Sequence, residues 1–279
     1  MEAAKRKAFS LYDDEDEEET TSVPPKKSND SKEEEKVEVA NKDEELCNNS
    51  EKNCDDEAEQ HSCMTACRGI EMYASAARQG ERPEMEDAQI EHIKFDLEKP
   101  FLKRCALFAI FDGHAGSKAS KYCEKVFAET LKKHLSSFND LATLEKSLKR
   151  VFTDVYKSID DAFLNDARNE KPMWKDGTTV TNVLFLNNSI YVANIGDSRA
   201  LVCRQKKGEK AITIQLTVDH NPSVYDERVR IQKAGGFVKD GRINGSIEVS
   251  RSIGDINFKR LGVISVPDVK KLTITDDDK

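Results

Sequence analysis

CALFAIFDGHAGSKAS, residues 105–120, runs from an apolar block into Asp112-Gly113-His114 and, after Gly116, into an amphipathic pattern. Residues 106–111 are apolar throughout and read as a core strand. Ending such a strand on a carboxylate, a residue without a side chain and an imidazole has two readings. A polar turn is the plain one, since Asp-Gly punctuates chains everywhere. A metal site is the sharper one, because the carboxyl end of a strand is a stiff place from which to present ligands.

Outward from this stretch the pattern changes in blocks. Strands are expected at 70–78, 88–95 and 104–111, and the brief links between them favour antiparallel pairing. Ala119, Tyr122, Val126, Leu131 and Leu135 keep helical spacing, and Leu141, Leu144, Leu148, Val151, Val155, Ile159 and Phe163 form one apolar stripe. Asn187-Asn188 divides two runs rich in β-branched and aromatic residues, the mark of a tight hairpin, and Gly196-Asp197 marks a second reversal. Another strand is expected at 211–218, and a helix from Pro222 to Ala234, closed by Gly235-Gly236. Strands and helices in blocks rather than in strict alternation predict an α+β fold, antiparallel sheet with helices packed outside.

Charge divides the 279-residue chain unevenly. Residues 1–68 hold 21 acidic against 10 basic residues, so the net charge of −8 originates there, while the 31 acidic and 34 basic residues beyond leave the rest slightly positive. DDEDEEE (13–19), KEEEK (32–36) and a scarcity of large apolar residues predict that 1–68 is a disordered acidic tail, unable to bury enough surface to offset its chain entropy. Order is expected from Gly69 to Lys279. No apolar run approaches the ~20 residues of a membrane-spanning helix. Seven cysteines without paired spacing fit reduced thiols, so the expected location is cytoplasmic, nuclear or both. Lys5-Arg6-Lys7 and Pro24-Pro25-Lys26-Lys27 read as solvated charge before nuclear-import signals. His61, Cys63 and Cys67 lack the second ligand pair of a zinc site. The negative charge argues against nucleic acid as a partner. A monomer without a membrane partner is expected.

Two further stretches bear on the opening one. GERPEMEDA (80–88) places Arg82, Glu86 and Asp87 at the start of a strand, and NIGDSRA (194–200) places Asp197 in a turn. Alone, each reads as solvated surface. Together with the opening stretch they belong to an ordered series: GERPEMEDA, FAIFDGHAG, KDGTTVTNVLF, VANIGDSRA, DHNPSVYDERVRIQKAGG and GSIEVSRSIGD. From about Gly69 onward the chain resembles the metal-dependent serine/threonine phosphatases of the 2C type. KPMWKDGTT, RIQKAGG, SRSIGD and FKRLGVISVPD look most like the branch that associates with integrin-linked kinase, which becomes a candidate partner beside phosphoprotein substrates.

That resemblance implies a sandwich of two antiparallel sheets flanked by helices on both outer faces. It also implies two Mn²⁺ or Mg²⁺ ions, with water activated between them for in-line attack on phosphorus. Asp112 would bridge both ions, the Gly113 carbonyl would bind one, and Glu86 and Asp87 would act directly or through coordinated water. Asp197 matches the position of a third, weaker ion. Arg82 would clamp the phosphate and His114 would protonate the leaving oxygen. Thr178, Gly245, Ser250 and Asp255 read as architectural, holding turns and close approaches.

Other phosphatase and kinase chemistries find no footing. No Cys precedes an Arg at the spacing of a phosphate-cradling loop, and no glycine-rich loop ends in Lys and Ser or Thr. Asp176-Gly177-Thr178-Thr179 is like an aspartyl-nucleophile loop, but Met173-Trp174-Lys175 before it is no buried strand. In the family, VISVPDVKKLTITDDDK (263–279) is followed by a further strand ending in Asp-Gly and by a final Asp-Asn, which supply two more metal carboxylates. The resemblance therefore implies a domain that is incomplete at its C-terminus, with Asp276, Asp277 and Asp278 poor substitutes on a frayed end. The alternative to an enzyme is a catalytically impaired module that still binds phosphoproteins.

Overall fold

The computed structural model describes residues 72–278. Expectations for the acidic tail, the basic clusters, His61, Cys63 and Cys67, and the onset of order at Gly69 fall outside the described residues. The central sheet has five strands in the order β1 (Ala88–His92), β2 (Cys105–Phe111), β5 (Val180–Leu186), β6 (Ser189–Ile195) and β12 (Asp268–Thr273), every neighbour antiparallel. The chain passes from β2 into β3 (Gly113–His114), then α1 (Lys118–Leu135), α2 (Leu141–Asn169) and β4 (Gly177–Thr178) before returning as β5.

Alternation along the strands decides which face carries which layer. Leu107, Ala109 and Phe111 of β2, Leu184 of β5 and Tyr191, Ala193 and Ile195 of β6 face the helix pair and are buried with it. The predicted stripe of α2 is its buried face, widened by Phe152 and Tyr156. Each large side chain fully buried here contributes about 1.5–3 kcal/mol against exposure. Tyr156 is wholly enclosed, and its hydroxyl lies 2.8 Å from Asn182 Oδ1 and 3.0 Å from the Ala193 carbonyl, which satisfies the one polar atom it brings into the core. Helix α2 starts where Asp140 accepts the Thr143 amide at 2.8 Å, an N-cap worth about 1 kcal/mol.

The opposite face carries a second, smaller layer. β7 (Leu201–Arg204) and β8 (Ile212–Gln215) form an antiparallel ribbon whose Val202 and Ile214 pack with Val183, Phe185, Ile190, Val192 and Leu272. Among the described residues this ribbon is the counterpart of the expected second sheet, and its outer side chains Leu201 and Ile212 are exposed where a helix was expected. The class is α+β.

Four of the remaining elements form a small unit with its own apolar cluster: α3 (Tyr225–Lys233), β9 (Val238–Lys239), β10 (Arg242–Ile243) and α4 (Ile256–Lys259), while β11 (Ile253–Gly254) returns to pair with β4. Ile231, Ile243, Ile247, Val249 and Val263 are its buried apolar residues. The predicted helix begins at Tyr225 instead of Pro222 because Asn221 closes a turn first, its side chain accepting the Ser223 amide and its carbonyl the Val224 amide.

The strand expected at 70–78 is corrected. Residues 72–79 have no regular structure, and Tyr73 instead lays its ring 6.2 Å from that of Phe108, on the sheet face away from the helices. Alternation states which face a strand would show; it does not supply an edge to pair with.

Candidate active site

Three two-residue strands gather the site. β3, β4 and β11 form a small antiparallel sheet in which His114 is opposite Gly177 and Gly254 is opposite Gly177 from the other side. A cavity of about 630 Å³ opens beside it, lined by Arg82, Glu86, Asp112, Gly113, His114, Asp197 and Asp255 on one wall and by Arg242, Glu248 and Asn257 on the other. A recess of about 190 Å³ adjoins it and adds Asp87. The structure thus brings Arg82, Glu86, Asp112, Gly113, His114 and Asp197 to one cavity and sets Asp87 just outside.

Backbone geometry explains the Asp-Gly-His order. A Cβ at Gly113 would collide with the carbonyl of Glu86, so only glycine lets these two segments meet. Glu86 then reaches past it: its Oε1 accepts the Gly116 amide at 2.6 Å, and its carbonyl accepts the Ser120 hydroxyl. Asp176 performs the same task two residues further along, accepting the Lys118 amide at 3.0 Å. Two carboxylates thus satisfy free amides around the start of α1, where negative charge is favoured. Glu86 is held by the loop it supports.

Asp112 and Asp197 are linked through Thr179. The Asp112 carbonyl accepts the Thr179 amide at 2.9 Å, and the Thr179 hydroxyl lies 2.9 Å from that of Ser198. The Asp197 turn is pinned from below by His220, whose Nδ1 accepts the Gly196 amide at 3.2 Å and whose Nε2 lies 3.2 Å from Asp268 Oδ2. Burial and the nearby Arg251 hold His220 below its ordinary pKa, in keeping with a neutral ring whose Nδ1 accepts.

Asp112 is open to the cavity, yet the surrounding walls strip enough water from its carboxyl to push its pKa up. The charges of Asp87 and Asp197 push the same way, and His114 and Arg82 pull back. Three carboxylates that repel one another, with oxygen donors alone, are a setting in which a hard divalent cation is stabilising. Among the described residues no three His, Cys, Asp or Glu side chains stand close enough to enclose a metal ion. The donor set therefore fits a cation that keeps several waters, as Mg²⁺ does on one or two carboxylates, and does not fit a closed structural cage of the zinc kind.

His114 pairs with a residue read from sequence as architectural. Its Nε2 lies 2.8 Å from Asp255 Oδ2. Burial pushes the imidazolium pKa down, but the hydrogen bond and charge of Asp255, with the charges of Asp112 and Glu86, outweigh it and raise the pKa above its ordinary value. Thr179, Asp176 and Asp255 are the residues that sequence reasoning left without a site role. A signal existed for the last: SRSIGD repeats the apolar-Gly-Asp ending of VANIGD.

The far wall rests on one carboxylate. Glu227 accepts Arg230 at 2.7 and 2.8 Å, Arg251 at 2.7 Å, and the Ser250 hydroxyl, and Arg251 passes on to Asp268 at 3.1 Å. Burial alone would push the Glu227 pKa up; the two guanidinium groups and Ser250 hold it well below the carboxylate range.

Comparison with known proteins agrees with this geometry. The family model for protein phosphatase 2C matches residues 71–279. The integrin-linked kinase-associated serine/threonine phosphatase 2C of Mus musculus is 44% identical over 216 residues, covering 76% of this chain and 55% of that protein. The probable protein phosphatase 2C 4 of Paramecium tetraurelia is 34% identical, covering 75% and 69%. The crystal structure of serine-threonine phosphatase 2C from Toxoplasma gondii shares the fold at a TM-score of 0.59 and 22% identity, over 71% of this chain and 72% of that one. The chain spans just over half the length of the mammalian relatives it matches. It belongs to the protein phosphatase 2C family.

Proposed function

We propose that this chain carries the phosphate-binding and proton-donating groups of a protein serine/threonine phosphatase site that works with Mn²⁺ or Mg²⁺. The convergence of Asp112, Asp197, Arg82 and His114 on one cavity is the observation that carries the reading. Arg82 is exposed on the cavity wall and makes no ion pair among the described residues, so its planar fork is free for two phosphate oxygens. Asp112, with Asp87 and Asp197 near, would hold the cation, and the carbonyl of Gly113 adds a neutral oxygen. When bound, that cation supplies charge to the phosphate oxygens and acidity to water.

The chain's own residues do the rest. Arg82 orients the phosphate, Gly113 keeps the backbone close enough for the loop to stay rigid, and His114 gives a proton to the departing serine or threonine oxygen. The mouse relative is named for association with integrin-linked kinase. We carry a phosphoprotein substrate and that kinase as a partner to this chain on the strength of its similarity. A cytoplasmic or nuclear setting is our own reading, which reduced thiols at Cys123 and Cys203 suit.

Hydrolysis of a phosphothreonine peptide with Mn²⁺, by this chain and by its Asp112→Ala variant, tests the reading. The variant is expected to lose about three orders of magnitude in rate, the scale of removing charge stabilisation from a transition state. Equal rates would remove Asp112 from the chemistry.

A further inference from the structure

Asp255 is 141 residues from His114 in sequence and only 2% exposed, and its carboxylate is fixed from several directions. Oδ2 accepts the Ser252 hydroxyl at 2.5 Å besides meeting His114 Nε2 at 2.8 Å. Its backbone amide donates to the Asp176 carbonyl at 3.0 Å, and its φ of 51° places it in the left-handed region, a conformation that a non-glycine residue keeps only where its surroundings impose it. Behind it, Asp160 of α2 accepts the Gly254 amide at 2.8 Å and pairs with Lys259 at 2.7 Å, and Lys259 reaches the Ser252 carbonyl at 2.8 Å.

Gly177 lies between the two partners. A Cβ there would collide with both His114 Nε2 and Asp255 Oδ2, so the pair meets through the space that a missing side chain leaves. An ionised carboxylate only accepts hydrogen bonds. Nε2 therefore carries its hydrogen toward Asp255, and Nδ1 is the ring nitrogen left for a reacting group in the cavity that His114 lines.

Resting on the phosphatase reading, we infer that Asp255 is the positioning residue for His114: it fixes the ring so that Nδ1 meets the leaving oxygen, and Gly177 is the residue that allows the contact. As water bonds to phosphorus and the bond from phosphorus to the seryl oxygen breaks, the electron pair stays on the seryl oxygen and takes the proton from Nδ1 of the imidazolium. The ring keeps its Nε2 hydrogen on Asp255.

The test pairs two substrates that differ in their need for an acid: a phosphoserine peptide, whose alkoxide needs a proton, and 4-nitrophenyl phosphate, whose phenolate does not. Asp255→Ala is expected to lower kcat on the peptide by about 10²- to 10⁴-fold, the range of a general acid, with KM nearly unchanged and 4-nitrophenyl phosphate far less affected. Asp255→Asn keeps shape and an acceptor oxygen and should restore part of the loss. Adding His114→Ala to Asp255→Ala should cost little more, because the two act as one unit. Equal losses on both substrates, or additive losses in the double variant, would overturn the inference.

A second arm stands apart from activity. Ring ¹⁵N spectra of His114 in the 279-residue chain should show a hydrogen-bonded Nε2–H that disappears in Asp255→Ala while the backbone spectrum persists. A ring without a hydrogen on Nε2, or one unchanged by Asp255→Ala, would overturn the inference. If the chain hydrolyses neither substrate, the phosphatase reading fails and these spectra alone decide the positioning.

Discussion

The two walls of the cavity are held by opposite means. The wall with Asp112 and His114 is the rim of an apolar core in which Phe111, Phe127, Phe152 and Tyr156 have no measurable exposure. The wall with Arg242, Glu248 and Asn257 rests on five buried aliphatic residues and on Glu227, which ties α3 to Arg251 and Ser250. Packing holds a wall against changes of pH and salt and makes it vulnerable to cavities. A shared carboxylate does the reverse, because its contribution vanishes when it is protonated. The difference predicts that the cavity loses one wall while the other stands.

Phe127→Ala should break the first wall most severely. Its ring packs 5.7 Å from Phe111 and 5.6 Å from Tyr156, and its truncation is expected to cost about 3–5 kcal/mol, read as a fall in the urea midpoint for the described domain as a whole. A loss confined to α3 and its neighbours would contradict the division.

Glu227→Ala should strike the second wall instead, costing about 3 kcal/mol by leaving Arg251 without its buried partner. Hydrogen exchange should rise in residues 225–249 and stay low in α2. Acid should mimic the substitution. Glu227 and Asp268 have folded-state pKa values below their unfolded ones, so both favour the folded state above the unfolded pKa of about 4.5 for Glu227. That contribution is lost as pH falls below this value, and exchange in α3 should rise before exchange in α2. Simultaneous opening of both would mean that one core holds both walls.

Tyr156→Phe is the smallest effect. Removing the hydroxyl that meets Asn182 and the Ala193 carbonyl should cost about 1 kcal/mol, with no pH dependence between 5 and 8. A larger cost would show that the first wall also depends on polar contacts.

Most of the fold was legible because its signals are local. The apolar stripe of α2 needs only 3.6-residue spacing, and the hairpin between β5 and β6 needs only Asn187, which takes φ 53° as a tight turn requires. Residues 72–79 were misread because alternation carries no information about a partner strand. The small sheet of β3, β4 and β11 was invisible, since two-residue strands have no period.

The site was legible in the same proportion. Asp112, Gly113 and His114 lie in one stretch, and family likeness joined Arg82, Glu86 and Asp197 to them. Asp255 escaped because its meeting with His114 depends on two-residue strands registering across Gly177. Thr179 escaped for a similar reason, as it joins Asp112 to Ser198 across the turn that carries Asp197.

The most direct test of the central claim follows phosphate release from a phosphothreonine peptide through chelation and replenishment. Release should depend on Mn²⁺, stop when EDTA removes it and return when Mn²⁺ is restored in excess. Release that continues undiminished after exhaustive chelation would contradict the assignment of the Asp112 carboxylate cluster to a divalent cation.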